Sequence, residues 1–264
     1  MKTIILCGGR GTRLNEETEF KPKPLVQVGG IPILLHIMNI YAHYGFNDFI
    51  VALGYKGDMI KDYFLTLSRY ESDFSFNMST GAINVLGNST HKYNYNITFA
   101  ETGPETKTSG RVLECAKYIP EKDPHFFVTY GDGVGTVDIG RVLDFHKDQE
   151  KKLGVVGTIS AVHPPSRYGR LTYTNDEVVA TFEEKMPILD DYINGGFQVY
   201  NRKALDYLDR NEMLEESLVR ITKDKKLALY RHAGYWKSMD TMKDYMDLNS
   251  DWDNNRPWAV WEKK

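Results

Sequence analysis

The stretch Gly8-Gly9-Arg10-Gly11-Thr12-Arg13-Leu14 stands directly behind a short apolar run, Ile4 to Leu6. Its glycines allow backbone N–H groups to close around an anion without interference from side chains. Arg13 adds a planar fork suited to phosphate oxygens. A little downstream, Lys21-Pro22-Lys23-Pro24 puts two cations on a stiff backbone, since each proline fixes its own φ and restrains the residue before it. Rigidity is wasted on a solvated charge and useful for aiming an ammonium at a polyphosphate. The chemistry these residues suit is phosphate handling.

Two common phosphate motifs fail on inspection. A P-loop needs a lysine and a hydroxyl after its last glycine, and here Gly11 is followed by Thr12 and Arg13. A dinucleotide fingerprint needs a third glycine where Leu14 stands, and an acid near the end of the second strand, where Leu53-Gly54-Tyr55-Lys56 has none. What remains is a phosphate-cradling loop of another kind, such as a nucleoside-triphosphate loop, or simply a tight turn after the first strand.

The elements that must hold this loop follow from periodicity. Lys2 to Cys7 reads as a buried strand, and Pro32 to Tyr44 as an amphipathic helix with proline in its first turn and Gly45 at its end. Phe49 to Leu53 is a second strand and Asp58 to Leu67 a second helix. Alternation of this kind means a parallel sheet with right-handed crossovers. Residues 68–102 read as short strands and turns at one sheet edge. A helix over Arg111 to Tyr118 follows, then strand Phe126 to Tyr130 and helix Val137 to His146. Strands are expected over Gly154 to Val162, Val178 to Phe182, Gly196 to Tyr200 and Leu227 to Arg231. Helices are expected over Lys203 to Arg210, Leu214 to Ile221 and from Thr241 onward. No linker marks a boundary, so residues 1–264 are expected to form one α/β domain: a Rossmann-like, mixed, mostly parallel sheet flanked by helices. Small β additions and a C-terminal helical embellishment complete it.

Composition narrows the class. A formal charge of -3 in 264 residues gives no basic field for nucleic acid. No run approaches the roughly 20 apolar residues that span a bilayer, so no membrane partner is expected. The N-terminal residues pass straight into a strand pattern without a signal-like apolar region, and Cys7 and Cys115 lie outside any CxxC pattern. A cytoplasmic chain with two cysteines in its core is the expectation.

Taken together, Gly8 to Leu14, Glu16-Glu-Thr18, Lys21 to Pro24, Gly30-Ile-Pro-Ile-Leu-Leu-His-Ile-Met38 and Gly54-Tyr-Lys-Gly57 resemble the sugar-phosphate nucleotidyltransferases. Thr129-Tyr-Gly-Asp-Gly-Val134, Ile193-Asn-Gly-Gly-Phe197, Trp236-Lys-Ser-Met-Asp-Thr241 and the tail with Pro257, Trp258 and Trp261 extend the likeness to the cytidylyl branch. The resemblance implies condensation of CTP with a sugar 1-phosphate, foremost glucose 1-phosphate, releasing pyrophosphate with Mg2+ as cofactor. It implies catalytic roles for Arg13, Lys23 and Asp132, with Asp132 and Asp240 as metal ligands. Nucleotide contacts would come from Leu6, Gly8, Gly9, Gly11, Thr12, Arg13, Lys23, Thr106, Thr108, Gly110, Arg111 and Gly131. Sugar-phosphate contacts would come from Tyr130, Gly169, Glu184, Lys185, Asn194 and Gly195. Residues 1–135 would form the nucleotide-binding half, and residues 136–264 the sugar-phosphate half with its tail.

Taken alone, Asp132 would more readily be a turn cap, but behind Phe126-Phe-Val-Thr-Tyr130 the metal reading is preferred; Asp240 could cap the following helix while also binding metal, and an N-cap explains Ser109 equally well. The chain departs from the family pattern at Met186, Gln198, Lys107-Thr-Ser-Gly110 and Arg170, mostly around the sugar pocket. The nucleotide is therefore defined more narrowly than the sugar. A homo-oligomer is expected, with Trp252, Trp258 and Trp261 forming either an interface or a local clasp. The competing readings are a relative using dTTP or UTP, or a modified sugar phosphate. Further off stand a non-catalytic sugar-nucleotide-binding regulator and a glycosyltransferase, which would want a second acid near Asp132.

Overall fold

The computed structural model describes residues 1–70, 73–86, 93–164, 170–183 and 191–262. Strand β1 (Thr3–Cys7) leads through the glycine loop to a 3-10 turn (Thr12–Leu14) and a short helix α1 (Asn15–Thr18). A hairpin of β2 (Gln27–Val28) and β3 (Ile31–Pro32) precedes α2 (Ile33–His43), β4 (Asp48–Leu53) and α3 (Gly57–Tyr70). Then come β5 (Phe74–Phe76), β6 (Ile83–Val85), β7 (Asn96–Glu101), α4 (Thr108–Ala116), β8 (His125–Tyr130), β9 (Gly133–Gly135) and α5 (Ile139–Leu153). The remainder is β10 (Gly157–Val162), β11 (Arg170–Tyr173), β12 (Val179–Glu183), β13 (Ile193–Asn194), β14 (Gln198–Asn201), α6 (Leu214–Lys223), β15 (Leu227–Arg231), β16 (Trp236–Ser238) and α7 (Met242–Asn254).

The central sheet has eight strands, with β7, β4, β1 and β8 mutually parallel in that order. Strand β14 runs antiparallel between β8 and β10, and β15 pairs parallel with the far side of β10. The expected mixed, mostly parallel sheet is found. Alternate residues of β1 enter opposite cores. Ile5 and Cys7 face α2 and α5, and Ile4 and Leu6 face α4 and α6. Burial on both faces explains why β1 and β4 read as unbroken apolar runs.

Several boundaries differ from expectation for physical reasons. Helix α5 runs on to Leu153 because its last two turns, rich in Lys, Asp and Glu, hide the apolar period; Gly154, at φ +65°, ends it instead of opening a strand. Strand β14 starts late because Gly196 (φ +74°) and Phe197 (φ +46°) bend the chain first. The expected helix over Lys203 to Arg210 is a 3-10 turn, Arg202–Tyr207. Pro32 sits at the N-cap of α2, one position before its first turn. Ser109 lies inside α4, bonded to Ser217 at 3.0 Å, so it caps nothing. The cap of α7 is Thr241, paired with Asp244, and not Asp240. Of the residues expected at the sheet edge, β7 joins the sheet, whereas β5 and β6 form a separate hairpin.

The tryptophan-rich tail is a clasp. Trp252, Trp258 and Trp261 gather around the buried His36 of α2, at ring separations of 4.6, 5.7 and 6.0 Å. The β2–β3 turn is part of it: Gly29 has φ +59°, and a Cβ there would lie 2.0 Å from the Trp252 indole. The motif from Gly29 to His36 thus belongs to the architecture. Among the described residues no helix is long and apolar enough to cross a membrane.

Candidate active site

The parallel strands β1 and β8 deliver their carboxyl ends to the same place, where ligands sit in open α/β sheets. Gly131 N–H donates to Leu6 O at 3.1 Å, drawing the end of β8 against β1. A Cβ at Gly131 would lie 2.9 Å from Leu6 O and 3.0 Å from Cys7 Sγ, so this approach requires glycine. Within the loop, Gly11 adopts φ +65° and its carbonyl accepts from Leu14 N–H and the Thr18 hydroxyl. The turn at Pro22 (φ -68°, ψ 146°) then starts the short 3-10 segment that carries Lys23 and buries Pro24.

Lys23 Nζ reaches Asp132 Oδ2 at 2.7 Å and Asp240 Oδ1 at 3.1 Å. Arg13 Nη2 lies 3.4 Å from the same Asp240 oxygen, with most of the Arg13 side chain exposed. Burial alone would depress the Lys23 pKa, but Asp132 and then Asp240 hold it above its ordinary value. Burial would likewise raise Asp240, yet Lys23, the Ser238 hydroxyl and Arg13 draw it below the usual carboxylate range. At neutral pH the cluster is an ammonium, a guanidinium and ionised Asp240, with Asp132 opposite.

Asp240 arrives by a route invisible to local pattern. The three-residue strands β9 and β16 pair antiparallel with Ser238 opposite Gly133, and Met239 N–H donates to Asp132 O at 2.9 Å. The two aspartates, more than a hundred positions apart in sequence, are thereby locked side by side.

These residues line one cavity of about 350 Å3, together with Leu6, Gly8, Gly9, Gly11, Thr12, Thr108, Arg111, Tyr130 and Gly131. Thr106 and Gly110 fall in a neighbouring cleft, separate from it. Arg111 is almost wholly buried, and its guanidinium donates to Leu53 O, Gly103 O and Gly8 O at 2.8, 2.9 and 3.2 Å. It packs directly beneath Gly8, where a Cβ would meet its Cζ at 2.1 Å. The Thr108 hydroxyl accepts from Leu214 N–H at 2.7 Å, tying α4 to the start of α6.

On the other side of Asp132, Tyr130 Oη donates to Glu215 Oε1 at 2.5 Å and accepts from Asn194 at 3.3 Å. Gln198 links Asn194 (3.2 Å) to Tyr200 (2.6 Å). Burial, and then Glu215, push the Tyr130 hydroxyl well above its ordinary pKa, so it remains a donor. Gly195 is packed against Val162 and accepts from Trp236 Nε1 at 2.8 Å. Gly169, Glu184 and Lys185 lie outside the described residues. Glu215 and Met213 line the cavity without having been anticipated; they come from the start of α6, with no sequence signal pointing there.

An all-oxygen pair of carboxylates beside a cationic fork and an anion-suited glycine loop defines a class: α/β proteins that bind polyphosphates at strand ends. The chain belongs to the nucleotidyl transferase family, whose model matches residues 2–255. It is 42% identical to a Bacillus subtilis protein named "Probable glucose-1-phosphate cytidylyltransferase", over 99% of this chain and all of that one. It is 40% identical, over the same shares, to glucose-1-phosphate cytidylyltransferase of Salmonella typhimurium. Among solved structures, HddC from Yersinia pseudotuberculosis shares the fold at a TM-score of 0.65 and 23% identity, with 95% of this chain and 99% of that one covered.

Proposed function

We propose that this chain condenses CTP with a sugar 1-phosphate, most directly α-D-glucose 1-phosphate, to give CDP-sugar and pyrophosphate. Support comes above all from Lys23, Arg13, Asp132 and Asp240 meeting at one glycine-lined cavity, in a chain whose full-length relatives bear that name.

A phosphate monoester has a second pKa near ~6, so the sugar phosphate is largely a dianion at neutral pH and already a nucleophile. No side-chain base is required. The protein's work is to bring two polyanions together in line and to neutralise charge as the α-phosphorus is attacked. Arg13 and Lys23 do the latter, and the backbone of Gly8 to Thr12 cradles the phosphates. Arg111 acts from below by fixing the Gly8 carbonyl. Asp132 and Asp240 stand side by side and offer only oxygens, and so suit Mg2+. Bound there, the ion would draw electron density from the phosphate oxygens as a Lewis acid. Tyr130, Asn194 and Glu215 form the wall against which the sugar is held, with Lys185 and Glu184 assigned to its phosphate and hydroxyls. The exposed Phe74, Phe76 and Val85 of the β5–β6 hairpin fit an assembly of identical chains.

A panel of CTP, UTP, dTTP and GTP against several sugar 1-phosphates, with Mg2+ and pyrophosphate release as readout, tests the reading. Release with CTP and glucose 1-phosphate well above all other pairs is expected. Greater turnover with UTP or dTTP would transfer the assignment to another branch of the family, and no release with any pair would remove the catalytic reading.

A further inference from the structure

At the other end of β8 from the cavity, three side chains of a different character converge. His125 opens β8, and His146 and Glu150 stand four residues apart on one face of α5. Each offers one ligand atom, and these atoms lie within 4.8 Å of one another. His125 Nε2 meets Glu150 Oε2 at 2.7 Å, and the two imidazoles stand edge to face at 5.3 Å.

The surroundings are those of a prepared site. His146 is fully buried; its Nδ1 is paired with the Thr158 hydroxyl at 2.9 Å, while its Nε2 has no hydrogen-bond partner. A buried ring nitrogen without a partner is costly unless something else satisfies it. Pairing one ring nitrogen with a hydroxyl fixes the tautomer and orientation that a ligating histidine needs. Glu150 is held in the same way, because Asn201 donates to its second oxygen at 2.6 Å. Burial also keeps the His146 ring neutral, the form that offers a lone pair.

We propose that His125, His146 and Glu150 form a binding site for a zinc-like divalent metal ion, distinct from the aspartate pair. Two imidazoles and a carboxylate suit Zn2+, not the all-oxygen preference of Mg2+. Tetrahedral zinc places neighbouring ligand atoms roughly 3.3 Å apart, so the His125–Glu150 contact would open by ~0.6 Å and the widest pair, at most 4.8 Å apart, would close by up to ~1.5 Å. The fourth position falls to water, since Glu150 remains about one-third exposed. Five steps of strand separate His125 from Tyr130, about 17 Å of rise, so the ion would clamp α5 to the start of β8 without touching substrate. Its role is structural.

Co2+ titrated into the chelator-treated full chain in excess Mg2+, which occupies oxygen-only sites, reads the geometry directly. One Co2+ per chain is expected, with the strong visible band of a four-coordinate site, displaced by one equivalent of Zn2+. Zn2+ should also raise the Tm of the wild type. Because His146→Ala risks misfolding, the partly exposed ligands carry the test: His125→Ala and Glu150→Gln should each weaken binding about tenfold or more and abolish the Tm response. A missing visible band at saturation, or either variant binding Co2+ as tightly as the wild type, would overturn the proposal.

Discussion

Acidification should act on the tryptophan clasp through His36, and the size of the effect can be worked from the structure. His36 Nε2 is 2.9 Å from the Val28 carbonyl and therefore donates; Nδ1 accepts from Trp258 Nε1 at 3.3 Å. Both nitrogens are satisfied only in the neutral ring, since a proton on Nδ1 would face the Trp258 N–H. Burial pushes the His36 pKa from 6.5 down to about 4. The unfolded chain therefore takes up a proton that the folded chain refuses, and stability is lost as pH falls from the unfolded to the folded pKa. The linkage relation gives a loss of about 2 kcal/mol by pH 5 and about 3 kcal/mol by pH 4 from this group alone. Urea denaturation of wild type and His36→Gln at a series of pH values isolates it, because glutamine can both donate and accept but does not titrate. The variant should be less stable at pH 7 yet lose about 3 kcal/mol less on going to pH 4. Parallel loss in the two proteins would refute the buried neutral histidine. Turnover by the variant at pH 7 should stay near that of the wild type, because the clasp lies outside the cavity.

Two further outcomes follow from the site. Gly131→Ala places a methyl against the backbone carbonyl of Leu6 and the buried Cys7 Sγ, so about 1–3 kcal/mol of stability should be lost and Asp132 displaced; thermal unfolding and kcat should fall together, and an unchanged pair would contradict the close approach. Tyr130→Phe removes the hydrogen bond to Glu215; steady-state kinetics should show KM for the sugar phosphate rising about fivefold to tenfold with KM for CTP little altered, and the reverse pattern would move Tyr130 out of the sugar wall.

How much of this was legible in sequence depended on how local the signal was. Strands β1, β4 and β8 are buried on both faces, so the sheet could be read directly; α2 lies where expected, but it is not amphipathic as expected, because it is buried on every side from Ile33 to Tyr41 between the sheet and the C-terminal clasp. The glycine loop and Lys23 were legible too, because glycine and proline constrain backbone wherever they occur. Asp240 could be named from its family motif, but its approach to Asp132 depends on two three-residue strands far apart in the chain. Glu215 depends on where α6 docks, which Ser109, Ser217 and Thr108 decide through tertiary contacts. The family likeness alone names Arg111 as a nucleotide contact; it does line the cavity, but what the sequence does not signal is that its guanidinium donates to the backbone of the loop it supports. The tail allowed two readings from composition alone, and only packing around His36 separated them.

Nucleotidyl transfer is assigned to the cluster of Lys23, Asp132 and Asp240. Pyrophosphate release from CTP and glucose 1-phosphate by Lys23→Ala and Asp132→Asn, beside the wild type and with thermal unfolding recorded for each, tests it most directly. Both variants should unfold cooperatively like the parent and lose turnover by a factor on the order of a hundred or more, as expected when a group that neutralises charge in the transition state is removed. Turnover near that of the wild type in either variant would place the chemistry elsewhere in the molecule.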